Sequence, residues 1–142
     1  MEATTADLRE PGDLAVLDHG ECLRLLESHY VGRIGLSVAA LPVIVPVNYA
    51  VDGDQIVICS APGAKLEAAR QGQVACLEID DFDPFDHAGW SVLVTGRLTE
   101  VTDPSEISRL LHLPLTPWVP MVDRHFLQLS TELVTGRRLR RP

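Results

Sequence analysis

PVIVPVNYAVDGDQIVICSAPGAKLEAARQ, residues 42–71, carries the pattern from which the fold is read. Pro42 to Val51 is apolar at nearly every position, as in a strand covered on both faces. In a small barrel one face would meet the core and the other a partner subunit. Asp52-Gly53-Asp54 predicts a hairpin, because a type I′ turn needs positive φ at its central residues and Asp-Gly supplies it. Gln55 to Ser60 then pairs back, Pro62-Gly63 turns the corner, and a helix runs from about Gly63 to Gln71. Its period places Leu66 and Ala69 toward the sheet and Glu67 and Arg70 toward water.

Within this stretch stands Lys65, the sole lysine of the chain; the other basic residues are all arginine. A cation in a first helical turn opposes the partial positive charge of the exposed N–H groups, so an anion is expected beside it. Ser60, Gly63, Ala64 and Lys65 together offer a hydroxyl, backbone N–H groups and an ammonium, which suits a phosphate. The residues alone leave a second reading open, a solvated lysine beside Glu67.

Working outward, residues 1–15 have no clear period and read as a mobile lead-in, followed by one domain over 16–136 and a basic tail over 137–142. Asp18 with Glu21 opens a helix whose stripe of Cys22, Leu23, Leu25 and Leu26 extends to about Tyr30, ended by Gly32. A strand follows at Arg33–Ser37, and Ala39–Leu41 turns the chain into the central run. Beyond that run, residues 73–79 alternate as a strand, 80–87 (DDFDPFDH) form an acidic loop, and 89–101 (GWSVLVTGRLTEV) form a long strand. Gly96 within it marks a bulge or a close backbone approach. Asp103 or Ser105 caps a short helix to about Leu111, a proline-rich connection follows, and residues 125–133 make a last strand. Five or six strands with two or three short helices predict a mainly β fold, an antiparallel barrel.

The 142 residues suffice for one domain with its own core. A net charge of −8 opposes a nucleic-acid or anionic-membrane surface. Cys22, Cys59 and Cys76 are odd in number and form no C-x-x-C pair, so a reducing, cytoplasmic setting is expected. The opening residues lack the pattern of a signal peptide, and the apolar run at 38–47 is too short to span a bilayer. The spacing of Asp80, Asp81, Asp83, Asp86 and His87 does not match a calcium loop, and the five histidines show no ligand spacing, so no metal site is expected. Dinucleotide and nucleoside-triphosphate fingerprints and G-x-S-x-G are absent, and no catalytic residue emerges. Trp90 and Trp118 read as core or interface, or as stacking partners for a flat ring at a pocket edge. Arg137, Arg138, Arg140 and Arg141 read as a solvated tail, or as one reaching an anionic group held by a neighbouring subunit.

The order of helix, VGRIGLS (31–37), residues 42–80 and GWSVLVTGRLTEV (89–101) resembles the pyridoxamine 5′-phosphate oxidase-like flavin-binding split-barrel proteins. It resembles most the small bacterial subgroup that includes nitroimidazole-resistance proteins. PVNY (46–49), SAPGAKL (60–66) and WSVLVTGR (90–97) carry the resemblance, which covers roughly residues 17–138. It implies a Greek-key split barrel, a homodimer, and two flavin mononucleotide (FMN) sites at the subunit interface serving oxidoreductase chemistry on a small molecule. It further implies that Pro46, Val47 and Asn48 lie along the isoalloxazine or ribityl chain. Cys59, Ser60 and Lys65 would face the phosphate, and Trp90 and Ser91 would approach the same cofactor. Arg33 or a tail arginine is expected to assist Lys65. Members of the nitroimidazole-resistance subgroup tend to carry histidine at the position of Cys59, and the additional basic residues of the vitamin B6 oxidase are absent, so neither of those activities is expected. Relatives that use deazaflavin or haem supply the alternatives, as does a flavin-binding protein without turnover.

Overall fold

In a computed structural model, which describes residues 14–118 and 122–140, the apolar alternations become eight strands and three helices. In chain order these are β1 (Leu14–Val16), α1 (His19–Glu27), β2 (Val31–Val38), β3 (Leu41–Asp52), β4 (Gln55–Ser60), α2 (Ala64–Arg70), β5 (Val74–Phe82), β6 (Gly89–Glu100), α3 (Pro104–Leu110), β7 (His125–Ser130) and β8 (Leu133–Leu139). The strands neighbour one another in the order β1-β8-β6-β5-β2-β3-β4-β7, and a further β6–β7 pairing closes a six-stranded antiparallel barrel. Closure removes the exposed edges that an open sheet of this length would present.

Two long strands split their pairing between partners, and this shapes the surface. β6 pairs with β8 from Gly89 to Thr95 and with β7 from Leu98 to Glu100. Gly96 lies between the two, where a Cβ would stand 3.4 Å from the Ser130 carbonyl oxygen. Its pairing with Ala75 runs on without interruption, so no bulge breaks the β5–β6 ladder there, and a Cβ would meet Ser130 at ordinary contact distance. β3 behaves likewise, pairing with β2 as far as Asn48 and with β4 from Tyr49 onward. The PVNY segment therefore sits at a corner of the barrel.

Inward residues fill the barrel: Ile34, Leu77, Val94, Ile56 and Leu129 are fully buried. A second cluster, Ala50, Val57, Val101, Leu110, Leu115 and Phe126, lies where α3 and the segment after it cover the outer face of β3, β4 and β7. This second layer explains why β3 reads apolar on both faces: around Ala50 the outer face is covered from within the chain. Further along, Ile44 remains 71% exposed.

Several sequence expectations need correction. α1 stops at Glu27, where the Ser28 N–H bonds back to the Arg24 carbonyl, and Gly32 lies inside β2. It is glycine because β5 passes so close that a Cβ would stand 3.1 Å from the Glu78 carbonyl oxygen. The β3–β4 turn has Gly53-Asp54 as its central pair, and only Gly53 has positive φ, so it is not type I′. The Asp54 carbonyl accepts hydrogen bonds from the backbone and hydroxyl of Thr131. Asp80 to Phe82 belong to β5, because they pair with Ser91 to Gly89. The last predicted strand is two, β7 and β8, with Thr131-Glu132 between them. β8 takes in Arg137 to Leu139, which pair with β6 and β1 and do not fray. β1 likewise takes in Leu14 and Ala15; the rest of the lead-in lies outside the described residues.

Candidate functional site

Three adjoining clefts run along β3, and the sequence-predicted residues gather there. The first, of about 130 Å³, is lined by Pro46, Val47, Asn48, Cys59, Lys65 and the segment Leu115–Trp118. The second, of about 250 Å³, continues past Lys65 toward Ser60, Gly63, Val43 and Val45. The third, of about 640 Å³, opens on the other side of Asn48. Six of the eight predicted residues thus share one continuous groove.

The local backbone explains the gathering. Pro46 and Asn48 alternate onto the outer face of β3, while Cys59 lies on the outer face of β4 beside the second cluster. Gly63 turns the chain from β4 into α2 with φ +157° and ψ −160°, a region that side chains with a Cβ scarcely enter. That turn delivers Lys65, half-buried, to the lip shared by the first two clefts. Among the described residues Lys65 enters no ion pair and no side-chain hydrogen bond. The Ser60 hydroxyl donates to the Ala61 carbonyl at 2.7 Å, so its proton is already committed.

Asn48 is the polar centre of the groove. Its Nδ2 donates to the Thr116 carbonyl, which ties the Leu115–Trp118 segment across β3. Its Oδ1 is buried and has no partner among the described residues. An unsatisfied buried acceptor costs roughly 1–3 kcal/mol, so this atom calls for a hydrogen-bond donor. On the far wall, the buried Tyr49 hydroxyl donates to the Leu26 carbonyl at 2.7 Å, which fixes the end of α1 against β3. Burial raises the Tyr49 pKa, so the phenol stays protonated and the bond is kept.

A second cation, Arg124, which sequence reasoning missed, stands beside Cys59 and outside the lining of the three clefts. Its Nε donates to Cys59 Sγ at 3.3 Å, and its guanidinium lies 5.6 Å from the centre of the Phe126 ring. Next to it, His125 is held by Glu100 at 2.8 Å and Asp123 at 3.0 Å, and these bonds raise the imidazole pKa, Glu100 contributing most. Glu100 in turn binds Arg70 of α2 at 3.0 Å. The network clamps α2, the helix that carries Lys65, to β7, which Arg124 immediately precedes.

The arginines named from sequence are placed elsewhere. Arg33 lies 3.3 Å from both Glu78 and Asp80, so two carboxylates already satisfy it. Arg137 and Arg138 stand in β8 opposite Ser91 and Trp90. Ser91, between Asp80 and Arg137, contributes to none of the three clefts. Trp90 is buried behind the groove and meets the His29 ring edge-on at 4.9 Å; it buttresses a residue that lines the largest cleft. Trp118 is the tryptophan that faces a cleft, 59% exposed at the boundary between the first and third. Its presence on a proline-rich connection was the available signal; for Arg124 the sequence offered none. Among the described residues no cluster of His, Cys, Asp and Glu is arranged to hold a metal ion.

Glu78 carries a pH signature. Burial, then the shared proton and charge of Asp80, outweigh Arg33 and push its carboxyl from an ordinary 4.5 up to about 7. The folded state therefore binds the extra proton between those values, and stability falls as pH rises from 4.5 toward 7. Glu78→Gln is expected to flatten this part of the stability profile and to stabilise the protein at pH 8. Urea unfolding from pH 4 to 8 measures it, and an unchanged slope would contradict the assignment.

Residues 18–138 match the family model described as pyridoxamine 5′-phosphate oxidase. The uncharacterized protein Rv0080 of Mycobacterium tuberculosis is 39% identical over 132 residues, covering 89% of this chain and 86% of that protein. A solved structure of an FAD-binding protein from Mycobacterium smegmatis superposes with a TM-score of 0.73 at 31% identity, over 88% of this chain and 97% of that one. An FAD-binding protein from Mesorhizobium loti gives a TM-score of 0.72 at 25% identity, over 89% and 99% respectively.

Proposed function

That this chain belongs to the pyridoxamine 5′-phosphate oxidase family is the premise from which we infer that it binds a flavin in the groove along β3 and acts as an oxidoreductase on a small molecule. The observation that carries the reading is the buried Asn48 Oδ1, without a partner among the described residues, in the cleft that it shares with Lys65, a cation to which no described carboxylate is paired. Oxidised isoalloxazine has a single N–H, and among the described residues of the groove Asn48 supplies the one buried orphan acceptor. Lys65 and Arg124 neutralise the phosphate, Pro46 and Val47 lie along the ribityl chain, and Trp118 borders the ring. When bound, the flavin supplies two-electron transfer, and the protein supplies anchoring, orientation and exclusion of water.

FMN is the smaller ligand this arrangement satisfies. The second cleft, past Lys65, leaves room for the additional nucleotide of FAD, the ligand named for two of the similar structures. The flavin reading is favoured over haem because the described lining of the Lys65 groove holds no histidine and its one thiol already accepts from Arg124. Deazaflavin cofactors carry a longer anionic tail, which the net charge of −8 disfavours.

We place the protein in the cytoplasm as a homodimer. All three cysteines are free, and among the described residues no helix is long and apolar enough to cross a membrane. Across five strands the register aligns Ile44, Gly35, Cys76, Thr95 and Leu133 in one outward row. Ile44 and Leu133 are 71% and 59% exposed, and a second copy laid on this face would cover them.

Enzymatic turnover is tested by mixing flavin-loaded protein with NADH or NADPH without oxygen. Bleaching of the flavin followed by recovery on adding an electron acceptor is expected. Retention of oxidised flavin with both donors would leave a flavin-binding protein without this chemistry.

A further inference from the structure

The 640 Å³ cleft is lined between the end of α1, the Asn48–Val51 part of β3 and the segment after α3. Its rim carries two exposed aromatic side chains, Tyr30 at 71% and Trp118 at 59%. Their hydrophobic faces are open to solvent, where aromatic residues of this size are usually covered. Val51 and Pro114 form an apolar floor.

Charge distinguishes this cleft from the neighbouring groove. Glu27 is the one acidic residue in its lining, and it has no ion-pair or hydrogen-bond partner among the described residues. Among the described residues no lysine or arginine lines the cleft, and His29 is held by Ser28 at 2.7 Å and Asp81 at 3.3 Å. The groove on the other side of Asn48 presents Lys65, with Arg124 beside its Cys59, so the described linings of the two compartments have opposite charge across one asparagine.

We propose that this cleft is a binding site for a planar organic cation, which stacks between Tyr30 and Trp118 while Glu27 balances its charge. Aromatic faces attract cations through the ring quadrupole, and a carboxylate at the same rim adds to that attraction. On the reading of the adjoining groove as the flavin site, and resting on it to this extent, the cleft holds the substrate. Anionic molecules are drawn instead toward the groove of Lys65.

The probe is methylene blue, a flat monocation, measured by equilibrium dialysis against flavin-free and flavin-loaded protein. Saturable binding at one site per chain is expected in both. Trp118→Ala is expected to weaken it by about five- to tenfold and Glu27→Gln by about two- to fivefold. Glu132→Gln, which removes the same charge from an exposed turn outside the cleft, is expected to change it less than about twofold. The anionic dye 2,6-dichlorophenolindophenol is expected not to saturate the cleft over the same range. Equal losses in Glu27→Gln and Glu132→Gln would show general attraction to an acidic protein and overturn the proposal, as would equal binding of the anionic dye by the flavin-loaded protein, in which the Lys65 groove is filled. Because the flavin-free protein is measured separately, failure of the flavin reading leaves the dye result standing, and failure of dye binding leaves the flavin spectrum unaffected.

Discussion

Lys65→Ala is expected to lower flavin affinity by about 10- to 100-fold while leaving the fold intact. A charge-assisted hydrogen bond contributes roughly 1.5–3 kcal/mol, and each 1.4 kcal/mol is tenfold in affinity. Lys65 is the sole lysine, half-buried at the lip of two clefts, and no described carboxylate competes for it. Arg124 remains in the variant, so binding should weaken without vanishing. Lys65→Arg should keep most of the affinity, because the charge is retained and only its reach and hydration change. Quenching of flavin fluorescence on titration gives the dissociation constants, and circular dichroism checks the fold. Equal affinity in wild type and Lys65→Ala would remove the phosphate role from this residue.

The second large effect concerns the barrel itself. Leu77→Ala is expected to destabilise the protein by about 2–5 kcal/mol, the range for deleting a buried leucine side chain. Leu77 is fully buried at the middle of β5, with Ile34 of β2 and Val94 of β6 directly opposite, both also fully buried. Three closed strands cannot collapse around the void without breaking the register that shuts the barrel. Domains of this size hold only about 5–15 kcal/mol in total, so the loss is a large fraction. Leu111→Ala, at a position 53% exposed, is the control and should change stability by less than about 0.5 kcal/mol. Urea unfolding monitored by tryptophan fluorescence compares them; a loss at Leu77 no larger than at Leu111 would contradict the closed core.

Much of this architecture was legible because short-range chemistry dictated it. Asp18 caps α1 through its carboxylate, Asp103 caps α3, and Gly53 turns β3 into β4, each in keeping with its residue type. What escaped was decided by contacts distant in sequence. The approach of β5 makes Gly32 a strand residue, and no local pattern reports that approach. The division of the last strand into β7 and β8 depends on Asp54, far away in sequence, accepting from Thr131. The tail arginines looked like a solvated end because their basic character hid the pairing of Arg137 and Arg138 with β6.

The site divides along the same line. Lys65 stood out by composition, and Pro46 to Ser60 lay on two strands joined by a readable hairpin, so their convergence followed from the hairpin. Arg124 reaches Cys59 only because β4 and β7 pair, with Cys59 opposite Phe126. Arg33 seemed equally available until β2 and β5 were seen to set it beside Glu78 and Asp80. Selection among arginines was a tertiary matter throughout.

The most direct test of the central claim is gel filtration of the purified protein with visible detection, before and after incubation with FMN and, separately, with FAD. A flavin spectrum co-eluting with protein at the volume of a dimer, at one flavin per chain, is the predicted result. Protein that elutes without flavin after both incubations would contradict the assignment of the Asn48–Lys65 groove, whatever the fold of its relatives.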